Sequence, residues 1–155
     1  MEDFLKQLRH IPIGAEEILI NYHNSPYKLE VIEKGDWCDL YVTENVTMKA
    51  GERRYISQGI SMKLPQGYEA IMAPRSSTFK RYGILQTNSI GVIDNSYCGD
   101  DDIWMFPAYA TRDVEIPAGA RICQFRIIKS QPRLVFTSVD SLGEENRGGL
   151  GSTGE

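Results

Sequence analysis

Apolar residues fall along this chain in runs of four to seven, many alternating with polar ones, and close-set Gly, Pro, Asn and Asp separate them. That period is the mark of half-buried strands rather than helices. It predicts strands over 18–22, 28–33, 39–43, 54–57, 60–64, 68–73, 83–87, 90–93, 103–109, 122–128 and 134–139. Pro107 interrupts one run and demotes that strand to an edge or a bulge. Leu64-Pro65-Gln66-Gly67 and Ile116-Pro117-Ala118-Gly119 carry proline second and glycine fourth, which suits a type I turn. Only 2–9 (EDFLKQLR), with Phe4, Leu5 and Leu8 on one side, has helical spacing. Many short strands with little helix predict an all-β sandwich, jelly roll or barrel.

The last sixteen residues, DSLGEENRGGLGSTGE, break the pattern. Glycine dominates, and only Leu142 and Leu150 are large and apolar, so the segment cannot bury enough surface to order itself. It reads as a frayed tail or as a strap that wraps phosphate with backbone N–H groups and an arginine. It is not a P-loop, because Gly149 stands where the lysine is required.

Composition narrows the chemistry. A chain of 155 residues is one ordinary domain, and its formal charge of −4 argues against broad binding to nucleic acid or anionic membrane. No apolar run approaches a membrane span, and the N-terminus lacks the apolar core of a signal peptide. Cys38, Cys98 and Cys123 are odd in number and form no CxxC pair, which suits reduced thiols in a cytoplasm. His10 and His23 are the only histidines. A histidine triad or His-ligated metal is therefore excluded in practice. An enzyme built from this chain takes a carboxylate as its base and holds metal through oxygen.

Five polar stretches sit between the strands. In GVIDNSYCGD a buried run ends on Asp94, and Tyr97 follows three residues later in a hairpin turn. GDWCDL sets Asp39 at a strand start. PRSST puts Arg75, Ser76 and Ser77 directly after a strand, either as a solvated loop or as donors to phosphate. GARICQF places Arg121 and Gln124 on a strand-initiating turn, with Ile122 and Gln124 on one face and Gln124 pointing inward or into a cleft. RGGLGSTG lies in the tail.

In that order the five stretches resemble the five motifs of the deoxyuridine triphosphatase (dUTPase) family, and look similar to the enzymes of bacilli and their phages. The resemblance runs from about residue 17 to the end. It implies an N-terminal extension over 1–16, a distorted jelly-roll-like β domain over 17–139 and a flexible tail over 140–155 that closes on the active site. It further implies a cytoplasmic homotrimer whose sites draw motifs from more than one subunit.

The activity implied is hydrolysis of dUTP to dUMP and pyrophosphate by water attack on the α-phosphate, with Mg2+. Such an activity keeps uracil out of DNA and supplies dUMP. By resemblance Asp94 activates the water, Gln124 sits by the phosphates, and Asp39 organises hydrated magnesium. Arg75, Ser76 and Ser77 hold phosphate. Asn88 and the hairpin backbone at Gly91 and Ile93 hold uracil, and Tyr97 lies on the sugar, leaving no room for a 2′-hydroxyl. Arg147, Leu150, Gly151, Ser152 and Thr153 close over the substrate. Leu150 stands where the family usually has a phenylalanine that stacks on uracil. Asp100 replaces a common glutamate, and Gly119-Ala120 lacks the acid often found before the motif-four arginine. Two rivals keep the substrate class: a dCTP deaminase of the same fold, and a dUTP-binding regulatory protein.

Overall fold

A computed structural model describes residues 11–149. The helix expected over 2–9, and Leu150, Gly151, Ser152 and Thr153 of the tail, lie outside the described residues. Eleven strands and one short helix follow in order: β1 Leu19–Asn21, β2 Cys38–Leu40, β3 Val46–Met48, β4 Arg53–Ser57, β5 Ser61–Lys63, β6 Tyr68–Pro74, α1 Thr78–Tyr82, β7 Ile84–Gln86, β8 Gly91–Ile93, β9 Met105–Ala110, β10 Val114–Ile116 and β11 Cys123–Lys129. The all-β expectation holds.

Two sheets enclose the core. One has the order β2-β11-β6-β8, the other β4-β9-β7, and all their pairings are antiparallel. Alternation sends Leu40, Ala70, Met72, Ile93, Cys123 and Phe125 inward from the first sheet. Ile56, Ile84, Phe106, Ala108 and Ala110 come from the second. Trp104 meets Phe125 edge-on, with ring centroids 5.2 Å apart. Pairs β1–β5 and β3–β10 flank this sandwich.

Several expectations need correction. The runs 28–33 and 134–139 form no strand, and Val31, Ile32, Leu134, Val135 and Phe136 are exposed. Their pattern is strand-like, but no strand among the described residues offers them a ladder, and a strand without one has no reason to persist. Residues 46–48 and 114–116 pair with each other, although runs of three residues give little signal. The segment 78–82 is a helical turn stopped at Gly83, with Arg112 donating to the carbonyls of Lys80 and Arg81.

The strand carrying Pro107 is not an edge. It is central, between β4 and β7. Antiparallel geometry points both polar groups of one residue toward the same neighbour. The Pro107 carbonyl accepts from the Thr87 N–H at 2.9 Å, so its missing donor also faces Thr87, just beyond the end of β7 where the ladder has finished. Both proline turns are shifted by one residue. Tyr68 N–H donates to the Pro65 carbonyl and Ala120 N–H to the Pro117 carbonyl. Gly67 and Gly119 thus take the third position with φ of +81° and +84°, as a type II turn requires.

Candidate active site

Strand register gathers three of the polar stretches on one sheet face. Gln124 of β11 stands opposite Asp39 of β2 on one side and Ala73 of β6 on the other. Their neighbours Leu40, Cys123 and Phe125 point into the core, so Asp39 and Gln124 point away from it. Ile122 does not share the face of Gln124. The strand begins only at Cys123, and Ile122 is buried before the alternation starts. The half-buried Arg126 follows Gln124 on the outer face and lies over the Trp37 ring, 5.8 Å from its centroid. Alternation from Gln124 locates Arg126, which motif reading alone passes over.

Asp39 is the hub of this cluster. Its two oxygens accept from Arg75 Nε at 2.9 Å and from an Arg121 terminal nitrogen at 3.1 Å. The carboxylate side chain is only 13% exposed, and two guanidinium groups are what hold a charge there. Each oxygen keeps a lone pair beyond its guanidinium bond, enough to accept from a water molecule. The segment after β6 is tied down from β11. Thr78 Oγ1 donates to the Ile122 carbonyl at 2.6 Å and accepts the Arg75 N–H at 3.1 Å. Gln124 Nε2 donates to the Pro74 carbonyl at 3.2 Å. Thr78 is thus the structural hydroxyl of PRSST. Those of Ser76 and Ser77 are exposed and make no hydrogen bond among the described residues.

The hairpin expected around Asp94 forms no ladder of its own, because β8 pairs with β6 in one sheet and β9 with β4 and β7 in the other. The stretch between them is a turn that crosses between the sheets, and it forms a second cluster. Strand β8 lies against β6, with Gly91 opposite Met72. A Cβ on Gly91 would stand 3.0 Å from that of Met72, so any side chain there would have to push Met72 aside by a few tenths of an ångström. Asp94 follows β8 directly, and its Oδ1 accepts from the Ser96 N–H at 2.8 Å and from Ser96 Oγ at 2.5 Å. These two bonds, the hydroxyl first, hold the Asp94 carboxyl below the ordinary carboxylate range. Asn95 Nδ2 donates to the carbonyls of Pro65 and Tyr68, fastening the turn to β6. Tyr97 donates from its hydroxyl to the Ile103 carbonyl at 3.1 Å. Between these parts opens a pocket of about 190 Å³, whose lining includes Met72, Asn88, Gly91, Ile93, Tyr97 and Trp104.

The two clusters do not meet within one chain. Asp94 continues the β8 register to a position opposite Glu69, while Gln124 is opposite Ala73. Four residues of β6 separate them, about 13 Å at strand rise. Both project from the same outer face by parity. Arg147 lies in the exposed stretch beyond β11, which has no regular element. Burial and the nearby Asp39 charge push up the thiols of Cys38 and Cys123, which disfavours the thiolate form of both. Among the described residues no three His, Cys, Asp or Glu side chains form a metal cage.

The dUTPase family model matches residues 38–154. The SPbeta prophage-derived deoxyuridine 5'-triphosphate nucleotidohydrolase YosS of Bacillus subtilis is 54% identical over 127 residues, 82% of this chain and 89% of that one. A dUTPase of the Staphylococcus phage 80alpha superposes with a TM-score of 0.73 at 16% identity, over 88% of this chain and 98% of that one. The dUTPase of Staphylococcus aureus phage phi11, described with a structural Mg(II) ion, superposes at 0.69 with 14% identity, over 81% and 98%. At such identities the two structural likenesses speak for the fold alone. With a family match over most of its length and a relative this similar, the chain belongs to the dUTPase family.

Proposed function

We infer that the protein hydrolyses dUTP to dUMP and pyrophosphate. The observation that carries this reading is the hairpin pocket. It sets an aromatic ring, Tyr97, in the wall of a cleft of nucleobase size, with the carboxylate of Asp94 directly after the lining residue Ile93, within the residues that match the family. The uracil enters between Asn88 and the backbone at Gly91 and Ile93, and Tyr97 lies against the deoxyribose.

Attack on the α-phosphorus needs positioning and charge neutralisation more than a strong nucleophile. Asp94 is ionised at neutral pH, orients the water and accepts its proton as the new P–O bond forms. The α–β bridging P–O bond breaks, and pyrophosphate leaves. Arg75, with the free hydroxyls of Ser76 and Ser77, holds phosphate oxygens, and Gln124 borders the reacting phosphate. Arg147 and the residues after it, Leu150, Gly151, Ser152 and Thr153, close over the nucleotide. Bound Mg2+ supplies charge neutralisation on the phosphates. The donor set would suit an ion held chiefly by phosphate and water, and Asp39 would meet such an ion only through water, by the lone pairs left by the arginines.

The hairpin and the Asp39 cluster lie apart on one chain, so a complete site pairs them across subunits of a homotrimer. Among the described residues no helix is long and apolar enough to cross a membrane, in keeping with a cytoplasmic enzyme. Among the described residues no carboxylic acid lines the pocket, which disfavours deamination of dCTP at the base. Incubation with a panel of deoxynucleoside and ribonucleoside triphosphates tests the reading. Pyrophosphate release from dUTP alone is expected; ammonia from dCTP, or no release from dUTP, overturns it.

A further inference from the structure

Gln86 is the one polar side chain that the second sheet buries beneath the hairpin pocket. It occupies the inner face of β7 opposite Ala108 and is 8% exposed. Its Nε2 donates to the Met72 carbonyl at 3.2 Å and to Asn88 Oδ1 at 2.9 Å, while its Oε1 is buried without a partner. An unsatisfied buried carbonyl is costly, and leucine or methionine would fill the space better. The value of glutamine at this position therefore lies in its two donors.

We propose that Gln86 is a positioning residue that fixes the amide of Asn88 with its NH2 group toward the base, and so selects a 4-keto over a 4-amino pyrimidine. The proposal rests on the assignment of Asn88 to the uracil pocket. A backbone carbonyl can only accept, so the Gln86 atom facing Met72 must be nitrogen. The second N–H of that nitrogen then demands an oxygen from Asn88. Asn88 lines the pocket with its oxygen already engaged, which leaves its NH2 as the group it offers a ligand. A uracil O4 accepts from that NH2, whereas the amino group of cytosine meets it donor to donor. An unrestrained asparagine could turn its amide over and suit either base. The bond from Gln86 removes that freedom before the nucleotide arrives.

Gln86→Met keeps length and volume but removes both donors. We expect the ratio of kcat/KM for dUTP over dCTP to fall about tenfold, the scale of one misplaced hydrogen bond. KM for dUTP should rise more than kcat falls, and the equilibrium preference for dUMP over dCMP should shrink in parallel. In an Asn88→Ala background Gln86→Met should change selectivity no further, whereas a merely structural role would add its own loss. Selectivity unmoved by Asn88→Ala overturns the pocket assignment. Selectivity lowered by Asn88→Ala but not by Gln86→Met overturns the role of Gln86 alone. Absence of dUTP hydrolysis by the unmodified protein condemns the hydrolase reading, yet dUMP and dCMP binding still tests Gln86.

If Gln86→Met does not fold, side-chain amide exchange by NMR on the unmodified protein decides. Gln86 protons should exchange slowly without nucleotide, and Asn88 protons should become protected on adding dUMP but not dCMP. Asn88 protons already protected in the free protein, or protected equally by both nucleotides, overturn the proposal.

Discussion

Asp39 and Gln124 face one another across the β2–β11 pair, and Asp39 holds Arg75 and Arg121 at 2.9 and 3.1 Å. One carboxylate therefore aims two guanidinium groups beside the glutamine expected at the reacting phosphate. Asp39→Asn preserves shape and removes the charge. Charge-assisted bonds contribute about 1.5–3 kcal/mol each when desolvated, but Arg121 is well exposed and its share is screened. A stability loss of about 1–2 kcal/mol is expected, read as a shifted denaturant midpoint. A fall in kcat/KM for dUTP of tenfold or more should accompany it, on the order of one lost charged contact. No change in either quantity would mean that the arginines hold their places unaided.

Asp94→Asn keeps the hairpin's outline but cannot take a proton from water. Loss of a general base typically costs about 10²–10⁴-fold. Steady-state hydrolysis should drop in that range, while calorimetric binding of a non-hydrolysable dUTP analogue stays close to that of the unmodified protein. Hydrolysis within threefold of the starting value would remove Asp94 from the reaction.

Ser96 favours the ionised form of Asp94. The Ser96 hydroxyl and N–H stabilise the charged carboxylate, so its pKa is lowered in the folded protein. A lowered carboxylate pKa keeps the base ionised to more acid pH, and any stability it lends is present above the unfolded pKa and lost as pH falls through the folded one. Ser96→Ala removes the larger cause and should move the acid limb of the kcat/KM profile to higher pH. Titration of the substrate's phosphates is common to both proteins and cancels in the comparison. Superimposable acid limbs would show that another group sets that limb.

Much of the core was legible in the sequence because it depends on period two. Leu40, Met72, Ile84 and Phe106 are buried where alternation puts them. Pro107 misled because its effect depends on which neighbour its missing N–H faces, and that is a property of register. The runs at 28–33 and 134–139 look like strands because they are apolar, but pairing needs a partner that local pattern cannot supply. The motif residues were readable from their order along the chain. The separation of Asp94 from Asp39 along β6 was not, since it follows from pairing between strands distant in sequence. Thr78 stands in PRSST and Gln86 in no motif, and the bracing role of each emerges only from hydrogen bonds to Ile122 and Met72.

Tyr97 is held through its hydroxyl to the Ile103 carbonyl, with its ring in the pocket wall. Tyr97→Phe loses one neutral hydrogen bond, about 0.5–1.5 kcal/mol, and keeps the ring. Tyr97→Ala opens space at the sugar. Discrimination against UTP should survive the first change largely intact and fall with the second, measured as the ratio of kcat/KM for dUTP and UTP. An equal ratio in all three proteins would make Tyr97 a packing residue only.

The stretch beyond β11 tests the assembly. Val135 and Phe136 are 85% and 92% exposed, with Leu134 and Val139 also open, and this run finds no ladder among the described residues. Burying one such side chain contributes about 1.5–3 kcal/mol, and a trimer would do so once per subunit. Phe136→Asp should therefore shift mass from trimer toward monomer by light scattering, and activity per subunit should fall on dilution. Truncation after Asp140 spares this run and removes Arg147 with the rest of the tail. It should leave a trimer with little activity. Mixing it with Asp94→Asn subunits, under conditions of verified exchange, should restore part of the rate, because an intact tail from one chain then reaches an intact Asp94 on another. Exchange without recovery would mean that the tail serves only its own chain. A fully active monomer would dismiss the shared site altogether.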